Sequence, residues 1–93
     1  MNARYVEPEG TKRGAIREIY AAVKAPAWAS PNLDGLADVL RDLSWLPPGP
    51  VTLVWQPSGR LPQPARRSIE TVLRAAAAES TTSDHPLHIA GLD

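Results

Sequence analysis

The fold is decided by residues 26–38, Pro26-Ala-Trp-Ala-Ser-Pro-Asn-Leu-Asp-Gly-Leu-Ala-Asp38, where a proline-bounded loop runs directly into a helix. Ser30 followed by Pro31 is a typical helix start, because a serine hydroxyl can accept from a free backbone N–H and proline fits the first helical position. Asn32 is the rival capping residue. The sequence therefore predicts a helix that begins after one of these caps and ends near Trp45.

Two faces of this helix differ in character. One face carries leucines spaced three and four residues apart, and these are Leu33, Leu36, Leu40 and Leu43. Beside it, Asp34, Asp38 and Asp42 recur every four residues, so each like-charged pair costs about 0.2 to 0.5 kcal/mol. Arg41, three residues after Asp38, is the nearest compensating charge. We expect the leucine face to be core and the acidic face to be either solvated or used by a partner.

The composition of the chain argues against several classes of protein and site. The 93 residues have a formal net charge of zero, no cysteine and no phenylalanine. We therefore expect an aliphatic core, no disulfide and no thiolate zinc site. A zero net charge argues against a general nucleic-acid binder. No apolar run approaches the roughly 18 residues of a membrane span and the first residues are polar, so we expect a soluble, cytoplasmic protein without a membrane partner.

The flanking segments alternate between strand and helix patterns. Arg4 to Val6 is a candidate edge strand, and Arg13 to Lys24 is an amphipathic helix that Pro26 ends. After the turn Pro47–Pro50, the apolar run Val51–Trp55 predicts a strand covered on both faces. Two further elements follow, a helix from Pro64 to Glu79 and a short strand within Leu87–Leu92. This order predicts one α/β domain over residues 1–93, with a three-stranded parallel sheet packed against three to four helices.

Catalytic patterns are weak. His85 and His88 have no cysteine, Gly-x-Ser-x-Gly or His-Glu-x-x-His context, so we expect packed or solvated histidines and no enzyme. A metal site built from Asp34, Asp38 and a histidine would need a long-range coincidence, so we expect no metal and no cofactor. The arginines around Glu70 fit a solvated helix face with an i,i+4 pair between Glu70 and Arg74.

The tryptophans divide by position. Trp28 lies in the loop before the acidic helix and could anchor a partner, because tryptophan is enriched in interface hot spots; alternatively it folds back onto the leucine face. Trp55 lies in the apolar strand and is expected in the core. Trp45 either caps the apolar end of the helix or rims an interface.

The run Pro-x-x-x-x-x-Asn-Leu-Asp-x-Leu-x-Asp, from Pro26 to Asp38, resembles the motif of the barstar family, small cytoplasmic inhibitors of secreted microbial ribonucleases. Gly49 to Trp55 resembles the family's second strand, and the alanine-rich helix followed by a terminal strand is in the family's order. The resemblance implies inhibition of a guanyl-specific ribonuclease in a 1:1 complex, as an immunity-type protein that is monomeric when free. Matching positions imply these partner-binding residues: Trp28, Asn32, Asp34, Gly35, Ala37 and Asp38.

In the family, the loop and the acidic helix enter the substrate groove and the acids take the places of RNA phosphates, so Asp38 would occupy the phosphate pocket and Asp34 would meet an arginine at its edge. The chain departs from this pattern at Ala29, Ala37 and Ala75, where the family has two aromatic residues and an acid. Three hypotheses remain: a ribonuclease inhibitor, a barstar-like module with a non-ribonuclease protein partner, and an enzyme or nucleic-acid binder.

Overall fold

The order of helices and strands agrees with the predicted α/β class. The computed structural model describes residues 3–8, 10–57 and 59–92. Along the chain lie β1 (Ala3–Val6), α1 (Lys12–Val23), α2 (Leu33–Asp42), β2 (Val51–Trp55), α3 (Gln63–Glu79), a 3-10 turn (Ser80–Thr82) and β3 (Leu87–Ala90). The described residues thus form three α-helices and one short 3-10 turn, where the sequence predicted three to four helices.

The three strands form a parallel sheet in the order β1-β2-β3. Val6 pairs with Trp55, and Leu53 pairs with Ile89. Crossovers between parallel strands are right-handed almost without exception. When strands follow one another in chain order, equal handedness places all the connecting helices on one face of the sheet. The helical layer is consistent with this, because α1 packs on β1, α3 packs on β3, and α2 lies against both helices.

The prediction that Val51–Trp55 is covered on both faces is wrong. Its burial alternates, with Val51, Leu53 and Trp55 buried but the residues between them only half-buried. On the uncovered face, Tyr5 of β1 is 65% exposed and His88 of β3 is also exposed. An apolar run indicates a strand but does not reveal how many of its faces are covered, whereas the strand order does.

The helix termini follow from local chemistry. The Thr11 hydroxyl accepts from the backbone N–H of Gly14 at 2.9 Å and so caps α1. Lys24 and Leu43 adopt left-handed backbone conformations, with φ of 55° and 50°, and end α1 and α2. The central helix therefore stops at Asp42, three residues before the predicted end near Trp45. Leu36, Leu40 and Leu43 are buried, as the leucine spacing predicted.

A polar contact ties α3 to the centre of the sheet. Trp55 is buried, as predicted, and its Nε1 donates to Glu70 Oε2 at 2.8 Å. The same oxygen accepts from Arg66 Nε at 2.9 Å. Burial alone would raise the pKa of Glu70, but the bonds from Trp55 and Arg66 and the charges of Arg66 and Arg74 together lower it. Glu70 therefore forms an i,i+4 ion pair with Arg66, and Arg74, the partner expected from the sequence, adds its charge to the same carboxylate.

We expect Glu70→Leu to lower the free energy of unfolding by about 1 to 3 kcal/mol, because it leaves the buried indole N–H of Trp55 without an acceptor. The folded pKa of Glu70 is below its ordinary value, so its contribution is present above that ordinary value and lost as the pH falls through the folded pKa. Urea unfolding at pH 7 and through the acid range measures both effects. Glu79→Leu is the control, since its pairing with Arg41 is exposed. Equal losses in the two variants would contradict the assignment.

Candidate functional site

The acidic helix begins at Asn32. The Asn32 side-chain Oδ1 accepts from the backbone N–H of Gly35 at 2.7 Å, and Leu33 is the first helical residue. Asn32 is therefore the cap, and Ser30 and Pro31 lie in the preceding loop. Asp34 occupies the first turn, where the positive end of the helix dipole favours a carboxylate by about 0.3 to 1 kcal/mol.

The acidic face of α2 is open to solvent. Asp34, Asp38 and Asp42 are all exposed, and among the described residues none of them takes part in an ion pair. Arg41, expected to compensate Asp38, instead pairs with Glu79 of α3 at 3.5 Å. That contact is more than half exposed on both sides and is worth at most about 1 kcal/mol. Asp34 and Asp38 are therefore two unpaired carboxylates, one helical turn apart and available to an external cation.

Trp28 lies in the loop that leads into this helix and is not part of the core. Trp28 is 62% exposed, so the alternative in which it folds back onto the leucines is wrong. It packs edge-on against Trp45, with ring centroids 6.3 Å apart and ring planes at 86°. Trp45 is half-buried and its Nε1 donates to the carbonyl of Val23 at 2.9 Å. Trp45 therefore contacts both Trp28 and the end of α1.

A tyrosine of α1 holds the loop. The hydroxyl of Tyr20 donates to the carbonyl of Ser30 at 2.6 Å. Burial raises the pKa of Tyr20, and the negative charge of Asp38 raises it further. The sequence analysis did not predict this contact, because no local pattern reveals which loop carbonyl a helix tyrosine will reach.

The remaining matched positions, Gly35 and Ala37, have different neighbours: Gly35 adjoins the carbonyl of Ser30 and the hydroxyl of Tyr20, whereas Ala37 lies at the edge between α2 and α3. Gly35 and Ala37 are half-buried. Ala37 and Ala75 help line a shallow groove of about 190 Å³ between the two helices, together with Arg41, Thr71, Val72, Ala76 and Glu79. The α2–α3 groove is mainly apolar and adjoins Asp38 along the helix. It therefore extends the surface formed by the acids without adding charge at Ala37 or Ala75.

The other candidates do not assemble into a chemical site. His85 is buried, with Nε2 donating to the carbonyl of Leu46 at 2.9 Å, and His88 lies on the uncovered sheet face. No cluster of three metal-ligating side chains occurs among residues 3–8, 10–57 and 59–92. A larger cavity of about 410 Å³ is lined by β1, β2 and the Pro47–Pro50 turn. Its one charged side chain, Arg4, already donates to the carbonyl of Ala22 at 3.0 Å.

The described part of the chain contains no helix long and apolar enough to cross a membrane.

Comparison with protein families gives an informative match. A family model described as "Barstar (barnase inhibitor)" matches residues 9–90, a stretch that includes all three helices, β2 and β3. No curated protein and no solved structure gives a significant match.

Proposed function

Because this chain belongs to the barstar family, we propose that it is an intracellular protein inhibitor of a secreted, guanyl-specific microbial ribonuclease. The observation that carries the proposal is the pair of exposed, unpaired carboxylates of Asp34 and Asp38 on one helix face, together with the exposed Trp28 in the loop that leads into this helix. A ribonuclease binds RNA phosphates through cationic side chains, and a carboxylate can accept the same short, charge-assisted and often bidentate bonds.

The inhibitory mechanism is occlusion of the substrate groove. Asp38, at the middle of α2, enters the phosphate pocket, and Asp34 meets an arginine at its edge. Asn32 fixes the start of the helix, and Gly35 leaves space for the loop to lie close to it. Trp28 packs on the enzyme surface, and the small side chain of Ala37 allows close approach. Binding a cation also relieves the repulsion between neighbouring aspartates, about 0.2 to 0.5 kcal/mol for each pair in the free protein. No bond is made or broken by this chain.

The proposed cellular location follows from this role. A ribonuclease active in the cell that makes it would degrade that cell's RNA, so the inhibitor has to be present in the cytoplasm. The complex is 1:1 and the free protein is a monomer, since one copy carries both carboxylates and Trp28. Neither nucleic acid nor a cofactor takes part in the proposed mechanism.

The test is a titration of RNA cleavage by a panel of guanyl-specific microbial ribonucleases, with barnase as the first member. We expect cleavage by at least one enzyme to fall linearly to zero at one equivalent of the protein, because active-site occlusion by a tight inhibitor is stoichiometric. Circular dichroism confirms that the protein added is folded. A folded protein that leaves every enzyme fully active would contradict the proposal.

One alternative function has specific support. The zero net charge gives little long-range attraction to a basic enzyme, and alanine at positions 29, 37 and 75 offers less contact and less charge than the family pattern. Both features fit a barstar-like module that binds a protein other than a ribonuclease. Binding that depends on Asp38 but leaves RNA cleavage unchanged would favour this alternative.

A further inference from the structure

Three parts of the chain meet at the start of the acidic helix. Tyr20 lies one turn before the end of α1, and its side chain is largely buried while its hydroxyl reaches the carbonyl of Ser30. Ser30 is midway between Trp28 and the helix cap Asn32. A single hydrogen bond of 2.6 Å therefore joins the rigid end of α1 to the centre of the loop that carries Trp28.

Gly35 leaves the space for this contact. A Cβ at Gly35 would overlap the carbonyl oxygen of Ser30 and would lie 2.8 Å from the Tyr20 hydroxyl and 3.2 Å from Asn32 Oδ1. The loop carbonyl, the phenol and the capping amide thus converge on one glycine in the first turn of α2. The loop can lie this close to the acidic helix because residue 35 has no side chain.

We propose that Tyr20 is a positioning residue for the inhibitory surface, which consists of Trp28, Asp34 and Asp38. The Tyr20 hydroxyl acts as a latch, because it holds the loop of residues 26–32 against α1 and the first turn of α2 before a partner binds. The inference rests on the proposed function, since it explains how Trp28 and the two carboxylates are held in one arrangement in the free protein. Tyr20 itself need not touch the partner.

The other hydrogen bonds of the loop differ from the Tyr20 contact. Within the loop, the backbone N–H of Ala29 donates to Pro26 and that of Asn32 donates to Ser30, at 3.0 and 2.8 Å. Both bonds are local to the loop, whereas the Tyr20 hydroxyl bonds the loop to α1. Burial and the charge of Asp38 both raise the pKa of Tyr20, so the phenol stays a hydrogen-bond donor at neutral pH.

Tyr20→Phe tests the latch, because it keeps the buried ring and removes the donor. An ordered interface loop saves the entropy that a mobile loop loses on binding, so we expect inhibition of barnase, or of the enzyme that responds in the panel, to weaken about 5- to 20-fold. In the free variant, we expect backbone order parameters of residues 27–32 to fall from about 0.85 towards 0.6. Ile19→Val is the control, since it trims the same helix in the core without touching the loop.

Gly35→Ala is the second variant, because it displaces the Ser30 carbonyl while Tyr20 is kept. We expect Gly35→Ala to lower the loop order parameters and to weaken inhibition, as Tyr20→Phe does. In the Tyr20→Phe/Gly35→Ala double variant, we expect the loss of inhibition to be smaller than the sum of the two single losses, because both substitutions act on one contact. Loop order parameters that are unchanged in Tyr20→Phe would overturn the proposed role of Tyr20. The proposal would also be overturned if the order parameters fell while inhibition stayed at the parent value. If the parent inhibits no ribonuclease, the proposed function fails, while the order parameters of the free protein still decide whether Tyr20 orders the loop.

Discussion

Asp38→Ala is expected to weaken ribonuclease inhibition by about 30- to 5,000-fold. Removing one partner of a desolvated charge pair weakens the binding free energy of an interface by about 2 to 5 kcal/mol, and the complex of barnase with its inhibitor is one of the examples behind this general range. Each 1.4 kcal/mol is a factor of about ten in affinity. Asp38 is exposed and makes no ion pair among the described residues, so no internal partner competes for its carboxylate. The measurement is the inhibition constant from RNA cleavage at fixed ionic strength.

The same substitution is expected to leave the fold intact. It removes the repulsion with Asp34 and Asp42, each worth about 0.2 to 0.5 kcal/mol, and places a strong helix former at the middle of α2. The free energy of unfolding of Asp38→Ala should therefore equal or slightly exceed that of the parent. A loss of inhibition can then be assigned to the missing carboxylate.

Asp42→Ala is the matched control for Asp38→Ala. Asp42 is exposed on the same helix one turn later, at its last residue, and the resemblance gives it no role in the complex. We expect its inhibition constant to stay within about threefold of the parent value, a difference of roughly 0.6 kcal/mol. Equal losses in the two variants would indicate general electrostatic attraction and would contradict a specific phosphate pocket for Asp38.

Periodicity was sufficient for the helices and for the leucine core. The spacing of Leu36, Leu40 and Leu43 correctly predicted which face of α2 is buried, because a helix repeats its faces every 3.6 residues whatever surrounds it. The capping residue was left open between Ser30 and Asn32, since both side chains can accept from a free N–H. The contact from Gly35 to Asn32 decides between them, and that contact depends on where the loop turns.

Features that depend on distant parts of the chain were not predicted. Arg41 pairs with Glu79, and Tyr20 bonds to Ser30 across the gap between α1 and the loop. Partners of this kind are fixed by the packing of whole helices, which local spacing does not describe. The uncovered face of β2 has the same origin, because strand order places all crossovers on one side. The carboxylates of the candidate site were found from the sequence, and the contacts that hold the loop beside them were not.

Trp28→Ala is expected to weaken inhibition by about 30-fold or more, with little effect on folding. A tryptophan that fills a pocket at the centre of an interface typically contributes 2 kcal/mol or more on truncation, which corresponds to about 30-fold in affinity. In the free protein, Trp28 is 62% exposed, so the substitution mainly removes its edge contact with Trp45. That contact is worth about 0.5 to 1.5 kcal/mol.

Tyr5→Ala is the control for Trp28→Ala, because Tyr5 is a large side chain that is 65% exposed on the uncovered face of the sheet. If the inhibitory surface consists of the loop and the acidic helix, Tyr5→Ala should leave inhibition unchanged while Trp28→Ala weakens it. If Asp38→Ala weakens inhibition and Trp28→Ala does not, the partner recognises the carboxylates and not the tryptophan. Since a zero net charge provides little long-range steering, such a surface would bind weakly, so a tight complex requires the apolar contact of Trp28 as well as the charge of Asp38.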